Sequence, residues 1–144
     1  GFRRAIAESP QQSVALLFID LDRFKPVNDQ YGHAAGDAVL LQVSQRLTAA
    51  VRDSDAVSRH GGDEFLLLLN DITDNEAAML FANKLVQVLA QPYQIEGHSV
   101  LLSASIGIAI CPDHSSEAGA LIRCADAAMY RAKQQGGSRV CMAL

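Results

Sequence analysis

No run of apolar residues in this sequence reaches the roughly 18 to 20 needed to cross a bilayer. The opening stretch, GFRRAIAESPQQ, lacks the apolar core of a secretory leader. Basic residues are few: 12 lysines and arginines stand against 16 aspartates and glutamates, a net charge of −4. That argues against a binder of nucleic-acid polymers, which would carry a basic stripe. It leaves room for a single nucleotide bound through a metal. The three cysteines, Cys111, Cys124 and Cys141, are widely spaced and odd in number, with no C-x-x-C pair. Neither a zinc site nor a disulfide framework is signalled, so we expect reduced thiols in a cytoplasmic protein. Internal repeats, low-complexity tracts and linkers are also lacking.

What is present is the material of one folded domain over 1–144. Hydrophobic residues make up 49% and charged residues 19% of 144 positions, a balance suited to a globular core. The chain opens abruptly in what reads as a helix. We expect an N-terminally truncated fragment of a larger protein, with any membrane attachment in the parent and no direct membrane contact from this segment.

SVALLFID, residues 13–20, is a near-continuous apolar run ending in an acid. It reads as a central strand with both faces covered, with Asp20 and Asp22 at its end. Pro26, Gly32 and Gly36 then break the next stretch into a short helix and a loop. From Asp37 the apolar spacing is helical, with Asp37 at the N-cap. Two strand-like runs around Gly61-Gly62 predict a β-hairpin. A helix is predicted over 75–90. A second hairpin follows, turning near Glu96-Gly97-His98. Residues 117–135 predict a helix ended by Gly136-Gly137, and SRVCMA a last strand. The order β-α-α-β-β-α-β-β-α-β suggests an α+β fold with a ferredoxin-like core. An open doubly wound α/β fold competes, and the hairpins argue against it.

If the strand ending at Asp20 neighbours the hairpin carrying Asp63, their carboxylates converge at one sheet edge. Unpaired, they would raise one another's pKa. A bound Mg²⁺ removes that penalty, since it prefers hard oxygen ligands with phosphates and water completing the shell. Such a site suits phosphoryl or nucleotidyl transfer. Taken singly, each acid is equally an ordinary turn residue. Gly61 and Gly62 let a substrate approach the backbone closely, and also simply make a tight turn. Asn28 can donate and accept while Asp37 only accepts, which suits a guanine edge over an adenine one. Alone, they are a turn former and a helix cap. Lys25 and Lys133 suit phosphate, although isolated lysines are usually solvated surface.

With these residues assembled, the chain resembles the GGDEF domain, the catalytic module of diguanylate cyclases. The motif stands as Gly61-Gly62-Asp63-Glu64-Phe65. The resemblance runs through FIDLDRFKPVNDQYGHAAGD at 18–37, SASIGIAI at 103–110 and ADAAMYRAK at 125–133. It implies a central, mostly antiparallel five-stranded sheet flanked by helices, of the nucleotidyl cyclase or palm-like kind. It implies condensation of two GTP into cyclic di-GMP with release of pyrophosphate, by a homodimer in which each domain holds one GTP.

On the matching positions, Asp20, Asp63 and the backbone carbonyl of Leu21 would hold Mg²⁺ (or Mn²⁺). Asp63 or Glu64 would help take the proton from the attacking hydroxyl. Lys25 would act at the phosphates with Lys133 and the backbone of Arg23 to Lys25. Asn28 and Asp37 would hold guanine; Phe24, His33, Gly61 and Gly62 would belong to the same substrate site. An R-x-x-D pattern, Arg52 and Asp55, with Lys84 on the following helix, would form an inhibitory product site. By itself that pair is an ordinary surface contact three residues apart. One departure stands out: Gly137 occupies the position where the family usually has a phosphate-binding arginine. It motivates a second hypothesis, a catalytically weak or silent domain that binds GTP or cyclic di-GMP and regulates a neighbour. A third, an adenylyl-cyclase-like or polymerase-like enzyme, shares the metal logic.

Overall fold

The computed structural model describes residues 13–144. The helix expected at the very start of the chain lies outside them. The chain begins with strand β1, Val14–Asp22, followed by helices α1, Phe24–Tyr31, and α2, His33–Ala50. The hairpin β2, Ala56–Gly61, and β3, Glu64–Leu69, leads into helix α3, Asn75–Leu89. A two-stranded ribbon, β4 Tyr93–Ile95 and β5 His98–Val100, precedes β6, Ser103–Cys111. Helix α4, Ala118–Gln134, and β7, Val140–Met142, close the chain.

Five strands form one sheet in the order β2-β3-β1-β6-β7. The pairs β2–β3, β3–β1 and β1–β6 are antiparallel, and β6–β7 is parallel. This is the mostly antiparallel five-stranded sheet flanked by helices. Within it, β3 lies between β1 and β2, the strands linked by α1 and α2, which fits a ferredoxin-like core. Residues Val14 to Ile19 are at most 2% exposed because helices cover both faces of β1. Leu17, Ile19, Phe65 and Leu67 join the core shared with α1, α2 and α3. Leu16, Phe18, Leu66 and Leu68 join the core under α4. Each such side chain contributes about 1.5–3 kcal/mol on burial. Together they fix the register that carries Asp20 to the sheet's edge.

Three expectations need correction. Helix α2 starts at His33 with Gly32 as its N-cap, so Asp37 lies inside the helix and caps nothing. Gly36 does not break this helix. A Cβ there would stand 1.7 Å from Asn28 Oδ1, so the glycine exists for packing against α1. The second hairpin is the short ribbon alone. It stops at Val100, and β6 is a separate strand that joins the large sheet beside β1. The continuous apolar pattern hid the break at Leu101 and Leu102.

Close approach explains a further glycine. At Gly107 a Cβ would meet Ala125 O at 2.0 Å and Met129 N at 2.3 Å. Helix α4 therefore rests directly on the backbone of β6, which sets where its last turn, with Lys133, meets β1. Among the described residues, no helix is long and apolar enough to cross a membrane.

Candidate functional site

Alternation along β1 sends Asp20 and Asp22 to the face that α4 covers, while Leu21 points into the opposite core. Asp20 pairs with Glu64 on β3 and with Ser105 on β6. Leu21 N donates to the backbone carbonyl of Asp63 at 3.3 Å. The end of β1 and the hairpin acids are thus held together by main-chain pairing. The expected convergence of Asp20 and Asp63 is what the structure shows. Burial, first, and then the nearby charge of Asp63 raise the Asp20 carboxyl to about 7, against the pull of Lys133.

The hairpin turn leaves space. A Cβ at Gly61 or Gly62 would meet nothing within 4 Å, and Gly62 has φ +47. The backbone there is open to a ligand, and the left-handed φ favours glycine. Arg59 Nε donates to Gly62 O at 2.9 Å, next to an irregularity in the β2–β3 pairing.

Alongside this turn lies a cavity of about 340 Å³. Phe24, Lys25, Asn28, Asp37, Gly62 and Asp63 line it, together with Leu40 and Arg59. Gly36 lets the Asn28 side chain lie against α2, which brings Asn28 and Asp37 to one wall. The first turn of α1 follows Arg23, whose φ of 56 is left-handed, and has no side-chain cap. Its free amide donors are what an anion accepts from a helix start. Lys25 pairs with Asp29 at 3.8 Å in the open, a contact worth little. His33 is exposed at the start of α2 and does not line this cavity.

Lys133 comes from the other side. Its Nζ donates to Leu21 O at 3.3 Å and Asp22 Oδ1 at 3.1 Å, and stands 3.7 Å from Asp20 Oδ2. Asp22 accepts from Ser103 Oγ at 2.6 Å, Ser105 Oγ at 2.7 Å and Ser138 N at 2.9 Å. Burial pushes the Asp22 carboxyl up, but these donors and Lys133 outweigh it and lower its pKa. A side chain at Gly137 would strike this carboxylate: the Cβ position is 2.8 Å from Asp22 Oδ2, and φ is +75. Arg139 bonds back to the Gly137 carbonyl at 3.0 Å.

The residues able to hold a cation are Asp20 and Asp63 with the Leu21 carbonyl, and Glu64 lies close enough to raise the Asp20 pKa further. Among the described residues no three His, Cys, Asp or Glu gather as a metal site on their own. Two carboxylates and a carbonyl are instead what Mg²⁺ takes from a protein when phosphates complete its shell.

Arg52 and Asp55 are brought together at the α2–β2 turn. Arg52 Nη2 is 3.3 Å from Asp55 Oδ1, and also donates to the carbonyl of Asn70. The Asp55 side chain is only 3% exposed and accepts from the amides of Arg52 and Asn70. It therefore clasps this turn to the end of β3. A cavity of about 370 Å³ opens beside the pair, without Lys84 in its lining.

Three residues that shape this site have no assigned role in the sequence reading. Asp22 shares the strand face of Asp20 two residues on, a signal that alternation carries. Gly36 and Arg59 act through contacts between elements, which no local pattern reveals.

The family described as "Diguanylate cyclase, GGDEF domain" matches residues 2–139. The bifunctional diguanylate cyclase/cyclic di-GMP phosphodiesterase MucR of Pseudomonas aeruginosa is 51% identical over 127 residues, covering 88% of this chain and 18% of that protein. The diguanylate cyclase TpbB of the same species is 43% identical over 135 residues, covering 92% of this chain and 31% of that protein. The chain thus spans less than a third of either relative. The crystal structure of the GGDEF domain of TpbB superposes with a TM-score of 0.94 at 39% identity, covering 99% of this chain and 90% of that one.

Proposed function

The chain belongs to the GGDEF domain family, and on that footing we propose that it is a single diguanylate cyclase domain acting as a pair with a second copy. Its reaction converts two GTP to cyclic di-GMP and two pyrophosphates. The observation that carries the reading is the cavity lined by Asn28, Asp37, Lys25 and Asp63, beside the carboxyl of Asp20.

In this reading Asn28 and Asp37 hold the guanine edge, with Phe24 packed beneath. The open Gly61-Gly62 turn admits the ribose and phosphates. Lys25, the first amides of α1 and Lys133 bind the triphosphate, and His33 stands at the margin of the site. Asp20, Asp63 and the Leu21 carbonyl hold Mg²⁺ (or Mn²⁺), which neutralises the triphosphate and favours ionisation of the attacking hydroxyl. Glu64 or Asp63 takes the proton of the 3′-hydroxyl of the GTP held by the opposite domain. That oxygen forms a bond to the α-phosphorus, and the bond from the α-phosphorus to the bridging oxygen breaks, leaving pyrophosphate. Two such steps, one in each direction, close the ring. The pairing explains why one site is not sufficient: each nucleotide supplies the nucleophile for the other.

Product inhibition belongs to the same proposal. Arg52 would exchange the Asn70 carbonyl for a guanine or phosphate of cyclic di-GMP, an exchange its forked guanidinium suits. Asp55 would keep the turn in place, and Lys84 would approach from α3.

A second reading is favoured by Gly137. The fold there leaves no room for a side chain beside Asp22, so the site has one phosphate-binding cation fewer than the family pattern. A domain that binds GTP or cyclic di-GMP with little turnover follows from that. Incubation of the full-length parent with GTP and Mg²⁺ separates the two. Formation of cyclic di-GMP supports the cyclase. Nucleotide binding by calorimetry with no product, even when pairing is enforced, supports the sensor.

A further inference from the structure

Lys133 touches the same oxygens that the proposed function assigns to the metal. Its ammonium donates to the Leu21 carbonyl at 3.3 Å and stands 3.7 Å from Asp20 Oδ2. Magnesium binds oxygen at about 2.1 Å. A cation taken up by the Leu21 carbonyl therefore lies no more than about 5.4 Å from Lys133 Nζ, the sum of that length and the 3.3 Å hydrogen bond. The ammonium is not free to swing clear. Asp22 holds it at 3.1 Å, and Asp22 is itself fixed by Ser103, Ser105 and the Ser138 amide. Helix α4 is in turn pressed onto β6 at Gly107. A divalent ion arriving alone thus meets a positive charge already hydrogen-bonded to one of its ligands, the Leu21 carbonyl, and ion-paired with another, Asp20. An ion arriving with a triphosphate brings oxygens that give the same ammonium a second set of acceptors.

We propose that Lys133 makes metal uptake conditional on the nucleotide, so that the free ion is held weakly and the ion–triphosphate complex is held well. The inference rests on Asp20, Asp63 and the Leu21 carbonyl being the metal ligands, and concerns what Lys133 does to them. It gives the lysine two roles, resident cation for the carboxylates before the nucleotide arrives and phosphate ligand once it is bound. It also gives the Asp22 cluster a purpose, since Asp22 sets the distance at which the ammonium stands.

The test is Mn²⁺ binding to the full-length protein, read from the free-ion electron paramagnetic resonance signal. Wild type and Lys133→Met are titrated with and without a GTP analogue that cannot be cleaved at the α-phosphorus. Removing a unit charge about 5.4 Å from a divalent ion should tighten binding of free Mn²⁺ about tenfold, even with the screening of bulk water. The analogue should then raise Mn²⁺ affinity less in the variant than in wild type. Equal or weaker binding of free Mn²⁺ by Lys133→Met, or an equal effect of the analogue on both proteins, overturns the inference. Lys133→Gln repeats the measurement, with thermal melts confirming that each variant is folded. Asp63→Asn separates the two ways of failing. If it leaves Mn²⁺ binding with the analogue unchanged, the metal assignment itself falls, and this inference with it.

Discussion

Replacing Gly36 with alanine perturbs the guanine wall without replacing any residue that would contact the nucleotide. The added Cβ would stand 1.7 Å from Asn28 Oδ1, 2.9 Å from Asn28 Cγ and 3.3 Å from Phe24 Cζ. The first two distances are impossible, so the Asn28 amide must rotate away; the third asks only a slight adjustment of Phe24. Alanine in a helix interior gains about 1 kcal/mol over glycine. That gain offsets the repacking, and chemical denaturation should find stability within about 1 kcal/mol of wild type. Binding should not be spared. Asn28 supplies two hydrogen bonds to guanine in the proposed site, each contributing about 1 kcal/mol. Their loss corresponds to a roughly 30-fold weaker affinity for GTP. Affinity for ATP, whose edge the Asn28–Asp37 pair fits poorly, should change less, so the preference for GTP shrinks. Calorimetry with uncleavable analogues of both nucleotides measures this. A Gly36→Ala protein that binds the GTP analogue within twofold of wild type would refute the placement of Asn28 against guanine. A stability loss beyond about 3 kcal/mol would show instead that the contact is held by backbone packing.

Other expectations follow from contacts elsewhere. Gly107→Ala forces α4 off β6, because the clashing atoms are main-chain. We expect a loss of about 3 kcal/mol in urea denaturation, and a loss under 0.5 kcal/mol would contradict the packing described. Arg46 donates to the carbonyls of Val88, Gln91 and Pro92 and lies 3.8 Å over the Tyr93 ring, closing the C-terminal end of α3. Arg46→Met should cost about 2 kcal/mol with GTP affinity intact. Burial raises the Tyr93 hydroxyl, partly countered by Arg46. The folded state therefore keeps a proton that the unfolded chain releases. Stability should fall as pH rises above about 10, and Tyr93→Phe should fall less steeply over that range.

The parts of this fold that were legible in the sequence are those where one local signal decides the outcome. A continuous apolar run ending in Asp20 means a strand buried on both faces. Paired glycines between strand-like runs mean a hairpin, and the acids just after them must stand at its turn. The misreadings arose where tertiary contact overrides local preference. Gly36 looks like a breaker, yet it sits inside α2 because Asn28 needs its space. The stretch from Tyr93 to Ile110 looks like one hairpin, yet its second half leaves the ribbon to pair with β1. The site shows the same division. Asp20, Asp63, Asn28, Asp37 and Lys25 announce themselves by residue type and motif. Asp22 was seen but left without a role, since its partners Ser103, Ser105, Lys133 and Ser138 lie far along the chain. Arg59 was passed over because its bond to Gly62 depends on an irregular strand pairing.

The most direct test of the account is where a metal–nucleotide complex sits. A crystal structure of the domain with Mn²⁺ and an uncleavable GTP analogue, with the ion located by anomalous scattering, decides it. The account predicts the ion coordinated by Asp20, Asp63 and the Leu21 carbonyl, with the guanine edge on Asn28 and Asp37. An ion bound away from the Asp20–Asp63 edge, or a guanine seated outside the Asn28–Asp37 cavity, would contradict it.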